Sequence, residues 1–546
     1  MSTKELQTKT LSSLAKVFPQ RIVGSVTHEG VGFRGTEIAF QVAVRITPRR
    51  YTQEDYTVEV TSALAQHITL ARVGLVPSAL PAYGHGVDKG YITTTSQMFP
   101  DPLLPLESNK FRAATYNWHA LWVSVKLPED LEVKQYPVTL DFYRKGKKRG
   151  SARFYVTVRS EQLPQTDFLY TNWFHCDCIA DVHGVPVFSE AHWELMEKYM
   201  RVATEHGMNM ILTPVVTPPL DTAVGEERPT IQLVQVEKTG ENYTFDFTLL
   251  RRFVQMATRC GITHFEISHL FTQWGAAFTP KVVARVNGRE KKIFGWHVSS
   301  DDPAYAAFLR ALVPQLIAFF EGEGIERGKL YFHVSDEPYA PHLPRYRAVS
   351  AVLRPLIEGC HHIDALSELD FYKEGLVSTP VVATNRIEPY LKENIKDLWC
   401  YHCCSQCNKV SNRFFSMPSW RTRFIGVQMY KYGIKGFLHW GYNFYYTQYS
   451  KRLIDPFRDT DAGEAFPSGD SFIVYPHGDG VIPSLRLKMM AKALEDMRLL
   501  TLWESRVGKE NVIAALDELI GEAVTFDATT ATEKFYDKLY EKILAD

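Results

Sequence analysis

Residues 329–338 have the sequence KLYFHVSDEP, in which an apolar segment ends in two adjacent carboxylates, Asp336 and Glu337, and a proline. The apolar part predicts a buried β-strand, and Pro338 ends it because proline has no amide hydrogen to donate. Neighbouring side chains of a regular strand point to opposite faces, but the backbone can turn where a strand ends. Taken alone, Asp-Glu-Pro is more typical of a helix start, with Asp336 as the cap. The flanking sequence therefore has to decide the role of the pair.

Seven further short apolar segments share this character and lie on both sides of it: FLYTNWFH (168–175), MNMILTP (208–214), THFEISHL (263–270), HHIDALS (361–367), LVSTPVVAT (376–384), DLWCYHC (397–403) and KGFLHWGY (435–442). Amphipathic helix patterns separate several of them, for example SEAHWELMEKYMRVATEHG and FDFTLLRRFVQMATRCG. Eight strands with interleaved helices predict a (β/α)8 barrel of the TIM type. A doubly wound sheet is the alternative, and the absence of a Gly-x-Gly-x-x-Gly motif after the first strand weakens it.

Two long interruptions, 215–244 and 271–300, read as hairpin insertions after the second and third strands. In a barrel, both would lie at the end where the strands have their C-termini, which is where barrel active sites form.

The sequence before the barrel alternates apolar and polar residues with period two, as in EIAFQVAVRITP and YPVTLDFYRKG. This pattern, broken by Gly, Pro and charged turns, predicts an antiparallel β-sandwich. We expect a β-sandwich domain over 1–163, a catalytic barrel over 164–502 and a short helical C-terminal extension over 503–546.

The charge balance is nearly even, with 61 Lys+Arg against 62 Asp+Glu. No basic excess or basic run indicates a nucleic-acid partner. No apolar run of the length of a membrane span occurs, and the N-terminal residues show no signal-peptide pattern, so we expect a cytoplasmic protein without membrane insertion. The eight cysteines fit a reducing compartment better than a disulfide framework.

The predicted strand ends are rich in aromatic and polar side chains. The candidates for substrate contact are Trp173, His175, His269, Asp364, Tyr401, His439, Trp440, Tyr442 and Asn443. Trp and Tyr faces together with His and carboxylate groups suit a neutral polyol ligand. Taken singly, each residue is more typical of a packed core or a supporting position than of substrate contact.

Several segments together resemble glycoside hydrolase family 123, the β-N-acetylgalactosaminidases. They are YFHVSDEP, HLFTQWGAAF, LWCYHCCSQ, YKYGIKGFLHWGYNFY and DSFIVYPHGDGVIPSLRLKMMAKALEDM. The resemblance implies a β-sandwich joined to a (β/α)8 barrel, no metal or other cofactor, and substrate-assisted catalysis by Asp336 and Glu337. The implied substrate is an oligosaccharide or glycolipid headgroup with a terminal β-linked N-acetylgalactosamine.

In this reading the enzyme retains the anomeric configuration, because the 2-acetamido oxygen of the sugar attacks the anomeric carbon and substitutes for a carboxylate nucleophile. Glu337 is assigned as the general acid/base, and Asp336 as the charge that orients the acetamide N–H and stabilises the oxazolinium ion. Two neighbouring carboxyl groups push their pKa values apart, which suits these two roles. Trp440, Tyr442 and Tyr401 are candidates to wall the acetamide pocket.

Three alternatives remain open from the sequence. The substrate can be a β-N-acetylglucosaminide instead. The chain can be a non-catalytic carbohydrate-binding protein on the same scaffold, although an intact Asp-Glu pair counts against it. Finally, two cysteine- and histidine-rich segments, 175–178 and 402–407, contain zinc-ligand residue types, but without a repeated Cys-x-x-Cys spacing.

Overall fold

The computed structural model of the protein describes residues 6–47, 52–527 and 530–546. By their contacts the described residues form two units. The first unit contains the described residues up to Thr166 together with Ser411–Tyr430 and Ile482–Asp546. The second contains Asp167–Val410 and Lys431–Val481. This grouping is not linear along the chain, and the linear boundaries expected from the sequence stay a prediction.

The first unit contains two five-stranded sheets. The strands before the barrel are β1 (Leu6–Ser12), β2 (Lys16–Val17), β3 (Ile22–Val23), β4 (Glu29–Arg34), β5 (Glu37–Ile46), β6 (Gln53–Thr61), β7 (Ile68–Ser78), β8 (Gln97–Pro105), β9 (Lys110–Ala114), β10 (Trp118–Lys126), β11 (Gln135–Arg144) and β12 (Lys147–Gln162). One sheet has the order β1-β5-β10-β7-β8 and the other β4-β12-β11-β6-β9. The short strands β2 and β3 pair with each other.

The two sheets share one apolar core. In β11, Val138, Leu140 and Phe142 alternate with more exposed neighbours and are fully buried. Phe40 of one sheet stacks on Phe154 of the other, with ring centroids 4.0 Å apart. The β-rich N-terminal part of the prediction is thus confirmed. One correction concerns β4 and β12, which pair in parallel: the chain crosses from β4 to β5 in the other sheet, so no hairpin forces an antiparallel pair.

The second unit contains an eight-stranded parallel sheet that curls into a nearly closed barrel. Its strands are β13 (Leu169–Asn172), β14 (Met210–Thr213), β17 (His264–Ile267), β20 (Leu330–Phe332), β21 (His361–Leu366), β22 (Thr379–Ala383), β23 (Trp399–Tyr401) and β24 (Gly436–His439). The order is β13-β24-β23-β22-β21-β20-β17-β14, and every adjacent pair is parallel. Each of the eight predicted segments contains one of these strands.

The two edge strands of the barrel meet at their N-terminal ends. Asn209, just before β14, donates its backbone N–H to the carbonyl of Tyr170 and accepts the Tyr170 N–H on its side chain. These hydrogen bonds bring the ends of the sheet together without a regular ladder. The prediction of eight parallel strands in a barrel is confirmed.

The helices alternate with the strands less regularly than predicted. They are α1 (Cys176–His183), α2 (Glu190–Glu205), α3 (Thr248–Cys260), α4 (Pro303–Gly322), α5 (Leu343–Leu353), α6 (Asp370–Lys373), α7 (Glu388–Leu391), α8 (Ser419–Arg423), α9 (Ile425–Tyr432), α10 (Leu485–Val507), α11 (Lys509–Ile520) and α12 (Glu533–Ala545). After β21 and β22 the chain forms only the single turns α6 and α7. These connections are too short to hold a long helix and the two turns that a crossover needs.

Short 3-10 turns complete the described helices: Ala65–His67, Gly84–Gly86, Glu107–Asn109, Arg327–Lys329, Ala340–His342, Arg354–Leu356, Thr384–Arg386 and Gln448–Ser450. Two further strands, β25 (Val474–His477) and β26 (Gly480–Pro483), precede α10.

The two insertions predicted as hairpins are hairpins, and they pair with each other. The first consists of β15 (Gln235–Thr239) and β16 (Asn242–Asp246), and the second of β18 (Val282–Val286) and β19 (Arg289–Phe294). A parallel pairing of β15 with β18 joins them into one sheet of order β16-β15-β18-β19. The loops that follow β14 and β17 are thereby tied together.

Helix α4 is the one described helix that is long and apolar enough to span a membrane by length and composition, with a mean hydropathy of 1.4. Half of the apolar window is buried inside the protein. Phe308, Leu312 and Leu316 are among its fully buried residues, and such a helix between two barrel strands is typical of a packed core.

Candidate active site

Strand β20 leads directly to the carboxylate pair. Its pairing with β21 stops at Phe332, so the next backbone amides have no neighbouring strand to bond. The carboxylate of Asp364, on β21, accepts the N–H groups of Val334 and Ser335 at 3.3 and 3.2 Å. This side chain replaces the missing ladder and fixes the segment that presents the pair at the mouth of the barrel, the end where the strands have their C-termini.

Asp336 and Glu337 are half-buried at this mouth. Glu337 has a backbone φ of +42°, a conformation that costs energy for a non-glycine residue and concentrates at functional sites. The Tyr401 hydroxyl donates a hydrogen bond of 2.7 Å to Glu337 Oε1, and the Cys403 thiol lies 3.9 Å from the same oxygen. Both partners come from the end of β23, so the Glu337 side chain extends towards that strand.

The electrostatics of the pair favour a bound proton. Burial raises the pKa of Glu337, while the hydrogen bonds from Tyr401 and Cys403 oppose that rise. Burial and, next in size, the negative charge of Glu337 raise the pKa of Asp336 well above its usual range. Because two adjacent carboxylates repel each other, the pair keeps a proton at a pH where ordinary carboxyl groups are ionised.

A buried charge network lies beneath the pair. His333 Nε2 is 2.6 Å from Glu266 Oε1, and His333 Nδ1 is 3.0 Å from Asp364 Oδ1. These two carboxylates raise the pKa of His333 to about 9, although burial opposes the rise. The hydrogen bonds from His333 and His362 hold the pKa of Asp364 below its usual range against the effect of burial. His333 is therefore an imidazolium locked between two carboxylates.

Further side chains complete the network. Glu266 accepts hydrogen bonds from the Trp173 indole at 2.6 Å and from the Thr171 hydroxyl at 2.9 Å. The Tyr346 hydroxyl donates to Asp364. Trp173 and Asp364, both expected to contact substrate, thus lie buried with their polar atoms bonded to protein groups. Trp173 and Asp364 lie beneath the mouth of the barrel and help to orient the backbone segment that carries Asp336 and Glu337.

His269 differs from these residues. It is 1% exposed and stacks on His333, with ring centroids 4.1 Å apart. Neither of its ring nitrogens has a hydrogen-bond partner among the described residues. Burial and the neighbouring His333 charge lower the pKa of His269 well below its usual range, so the ring is neutral.

One group in the described part of the chain has the composition of a metal site: His269, His333 and Asp364, whose ligand atoms lie within 4.8 Å of one another. The donor set does not fit a cation. Both nitrogens of His333 already lie within hydrogen-bond distance of carboxylates, at 2.6 and 3.0 Å, so each is engaged by a protein group. The nearly parallel stacking of the two imidazoles, at 18°, also gives ring planes that do not converge on one point. The two cysteine-rich segments supply no such group within the described residues.

The ends of β24 and β13 hold the remaining candidates. Trp440 is half-buried and donates its indole N–H to Asp470 at 2.9 Å. His439 Nε2 lies 3.5 Å from the other oxygen of Asp470. Trp440 therefore has a fixed orientation and a partly open face at the mouth, as a pocket wall requires.

Asn443 and His175 bind each other. The Asn443 side chain accepts the His175 N–H at 2.9 Å and donates to the His175 carbonyl at 3.0 Å. His175 Nε2 is 2.9 Å from the Trp440 carbonyl, and burial together with the Arg228 charge lowers the His175 pKa to about 3. Both residues hold β13 and β24 in place and have no free polar edge towards a ligand.

Tyr442 faces away from the pair. It is fully buried, stacks on Phe174, and donates its hydroxyl to the Tyr199 carbonyl on α2 at 2.9 Å. Trp440 and Leu438, two and four residues towards β24, pack in the barrel interior, so the regular alternation of the strand does not continue to Tyr442. Of the expected pocket residues, Tyr401 and Trp440 lie at the mouth with Asp336 and Glu337, and Tyr442 packs outside.

Sequence reasoning did not place four residues that matter to the site among its catalytic or substrate-binding candidates: His333, Glu266, Cys403 and Asp470. His333 lies inside the quoted strand and reads as one more core residue. Cys403 reads as a small buried apolar residue. Asp470 lies in a loop far along the chain, with no signal that it would reach β24.

Adjacent carboxylates at the mouth of a barrel, with an aromatic wall and a charged support below, are the arrangement of an enzyme that cleaves glycosides. Residues 173–503 match the profile of the glycoside hydrolase 123 catalytic domain, and the chain therefore belongs to glycoside hydrolase family 123.

A solved structure supports this fold. A family 123 glycoside hydrolase from Clostridium perfringens, studied for glycolipid glycan hydrolysis, superposes with a TM-score of 0.73 at 13% identity, over 99% of this chain and 97% of that one. A family 5 xyloglucanase from Bacteroides ovatus reaches a TM-score of 0.31 at 9% identity, over 86% of this chain and 98% of that one. A family 2 glycosyl hydrolase from Bacteroides cellulosilyticus reaches 0.27 at 12% identity, over 78% and 45%. No curated protein sequence matches.

Proposed function

We propose that this glycoside hydrolase removes terminal β-linked N-acetylgalactosamine with retention of configuration, by substrate-assisted catalysis. The observation that carries the proposal is the adjacent pair itself. Glu337 extends towards donors on β23, whereas Asp336 accepts no hydrogen bond from them. Two neighbouring carboxyl groups with different partners suit two different tasks.

In the first step, the acetamide oxygen of the sugar attacks the anomeric carbon as the bond to the leaving oxygen breaks. Glu337 gives its proton to that oxygen. Asp336 accepts a hydrogen bond from the acetamide N–H and stabilises the positive oxazolinium ion. In the second step, water attacks the same carbon from the side that the aglycone left, transfers a proton to Glu337 and reopens the ring. The product is the β-anomer, and both carboxyl groups return to their starting state.

Substrate binding also determines which carboxyl group of the pair carries the proton. In the empty site both carboxyl pKa values are raised. An acetamide N–H and a developing cation beside Asp336 favour its ionised form, which leaves the proton on Glu337, where the leaving group needs it. The sugar thus helps to set the protonation state that cleaves it.

The experiment is a panel of 4-nitrophenyl β-glycosides with and without the 2-acetamido group. We expect turnover of the N-acetyl-β-galactosaminide and little or none of the β-galactoside. Equal turnover of the two would overturn substrate assistance. Faster cleavage of the N-acetyl-β-glucosaminide would favour the gluco alternative, and no turnover of any glycoside would favour a non-catalytic sugar-binding protein.

The natural substrate in this proposal is a glycolipid headgroup or oligosaccharide that ends in this sugar. The Clostridium perfringens relative, studied for glycolipid glycan hydrolysis, supports that class. A cytoplasmic location also belongs to the proposal, and the eight cysteines, all free thiols, suit a reducing compartment. Cell fractionation tests it.

A further inference from the structure

Three loops meet beside the carboxylate pair and are bonded to each other. Asp221 follows β14, Trp274 follows β17, and Tyr449 follows β24. The Tyr449 N–H donates to Asp221 Oδ2 at 3.1 Å, and the Ser450 hydroxyl donates to the Asp221 carbonyl at 2.7 Å. The Trp274 and Tyr449 rings meet edge to face, with centroids 5.9 Å apart. Two aromatic rings and one carboxylate thus form a single cluster.

This cluster is attached to the catalytic segment. The backbone N–H of Trp274 donates a hydrogen bond to the Asp336 carbonyl at 2.9 Å. The Asp221 charge is close enough to contribute to the raised pKa of Asp336. Glu337 has its hydrogen-bond partner elsewhere, on Tyr401. The cluster is therefore attached to the Asp336 side of the pair.

The cluster is also strained. Asp221, Trp274 and Tyr449 have backbone φ angles of +40°, +55° and +61°, each in the left-handed region that costs energy for residues other than glycine. Such conformations persist where the surrounding structure enforces them, and they concentrate at ligand clamps. Tyr449 contacts both Asp221 and Trp274, and three linked strained residues beside the strained Glu337 indicate a common use.

The loop that carries Asp221 is rigidly held. Arg228 donates to the Leu220 carbonyl at 3.1 Å and forms a buried double hydrogen bond with Asp177 at 2.7 and 2.8 Å. The Asp221 N–H donates to the Gln273 side chain at 2.5 Å. Trp274 is nevertheless 43% exposed, so a tryptophan is presented to solvent from a fixed loop.

We propose that Trp274, Tyr449 and Asp221 form a subsite for the second sugar, the one on the aglycone side of the cleaved bond; the inference rests on the proposed function. The aromatic rings supply the apolar surface on which a sugar ring stacks. Asp221 Oδ1 accepts no hydrogen bond from the described residues, so it is open to a sugar hydroxyl. Because Trp274 is more exposed than the half-buried pair, its ring is placed to contact the second sugar rather than the terminal one.

The test compares a substrate that fills both subsites with a ligand that fills only the terminal one. The substrate is a disaccharide of N-acetylgalactosamine β-linked to galactose, and the ligand is the thiazoline analogue of N-acetylgalactosamine, which resembles the oxazolinium ion. The variants are Trp274→Ala, Trp274→Phe, Tyr449→Ala and Asp221→Asn. Trp296→Ala is the matched control, since Trp296 is a partly buried tryptophan after the second hairpin that donates to the Glu226 carbonyl.

We expect Trp274→Ala to lower kcat/KM on the disaccharide by about tenfold, mainly through KM, which corresponds to the loss of one stacking contact. Trp274→Phe should recover part of the loss, and the inhibition constant of the thiazoline should stay within about twofold in each variant. An unchanged inhibition constant also shows that the variant is folded.

Unchanged kcat/KM on the disaccharide in Trp274→Ala and Asp221→Asn would overturn the subsite. A parallel loss of thiazoline binding would overturn it too, because the cluster would then serve the terminal sugar. Wild-type enzyme that neither binds the thiazoline nor cleaves 2-acetamido glycosides would overturn the proposed function and this inference with it. Failure of the inference alone leaves wild-type cleavage and thiazoline inhibition intact.

Discussion

The hydroxyl of Tyr401 donates a hydrogen bond of 2.7 Å to Oε1 of Glu337, so a residue at the end of β23 tunes the proposed general acid on the segment after β20. A donor of this kind stabilises the carboxylate form. Its contribution lowers the pKa of Glu337 against the rise that burial causes. The two residues therefore set together the pH at which Glu337 gives up its proton.

Tyr401→Phe should shift the alkaline limb of the pH profile to higher pH. Removing the hydroxyl removes a contribution that lowers the Glu337 pKa, so the acid stays protonated further into the alkaline range. We also expect kcat/KM at neutral pH to fall by about tenfold or more, because hydrogen bonds to charged groups contribute about 1.5–3 kcal/mol. The pH dependence of kcat/KM on the 4-nitrophenyl glycoside measures both effects.

The matched control is Tyr442→Phe, whose hydroxyl bonds the Tyr199 carbonyl on α2. It should leave the alkaline limb in place even if it lowers stability. An alkaline limb that does not move in Tyr401→Phe, or that moves equally in both variants, would contradict the link between Tyr401 and Glu337.

His333 makes stability depend on pH. Its folded pKa of about 9 lies above the ordinary histidine value of 6.5, so its contribution is complete below pH 6.5 and is lost as the pH rises through 9. The depressed pKa of Asp364 acts at the other end: its contribution is complete above the ordinary aspartate value of 3.8 and is lost as the pH falls below it. We expect the contribution of the network to the free energy of unfolding to be largest from about pH 4 to 6.5.

His333→Gln should lower the free energy of unfolding by about 3–5 kcal/mol at pH 6, because it leaves Glu266 and Asp364 buried without their cation. The difference from wild type should shrink as the pH rises through 9. Denaturant unfolding at several pH values measures this. His264→Gln is the control, since His264 lies on β17 and its described hydrogen bond is to the Thr263 hydroxyl rather than to a carboxylate. A pH-independent difference for His333→Gln would rule out the imidazolium.

Part of this site is readable from the sequence because it depends on local order. Eight apolar segments with polar ends predict parallel strands whose C-terminal ends meet, and Asp336 and Glu337 are adjacent in the chain. The role of Asp364 was not readable, because it depends on β20 losing its partner strand at Phe332. The residue at which two paired strands part is set by tertiary structure, and the apolar pattern of either strand does not fix it.

The sequence also does not predict to which side of a strand end a given side chain points. Tyr442 and Tyr401 look alike as aromatic residues after β24 and within β23, yet one hydroxyl bonds α2 and the other Glu337. The positive φ of Glu337 breaks the alternation on which such predictions rely. The alternation rule therefore fails at Glu337, because the surrounding structure enforces a strained conformation at this functional residue.

Metal removal should leave activity unchanged. His333, the central residue of the His269–His333–Asp364 group, has both nitrogens engaged by carboxylates, which leaves neither of them as a free ligand. We expect EDTA treatment to have no effect on kcat/KM, and metal analysis of the purified protein to find no stoichiometric zinc. Activity that EDTA abolishes and zinc restores would show that these residues, or the cysteine-rich segments, hold a cation after all.

Variants of the two carboxylates should differ in how their activity depends on the leaving group. Asp336→Asn removes the charge that stabilises the oxazolinium ion, so activity should fall by about 10²–10⁴-fold for good and poor leaving groups alike. Glu337→Gln removes the proton donor, which matters only when the leaving oxygen needs a proton. Glu368→Gln, at a half-buried glutamate after β21, serves as the matched control and should stay near wild type.

Glu337→Gln should therefore retain far more activity on aryl glycosides with acidic phenols than on oligosaccharides, on which the loss should reach about 10²–10⁴-fold. It should also lose the alkaline limb of the pH profile, since that limb reports the ionisation of the acid. A series of aryl glycosides with graded phenol pKa values measures the dependence: log kcat/KM should become steeper with phenol pKa in Glu337→Gln and keep the wild-type slope in Asp336→Asn. The reverse pattern would make Asp336 the proton donor and Glu337 the stabilising charge. The variant that has lost the proton donor is the one whose rate depends more steeply on the phenol pKa.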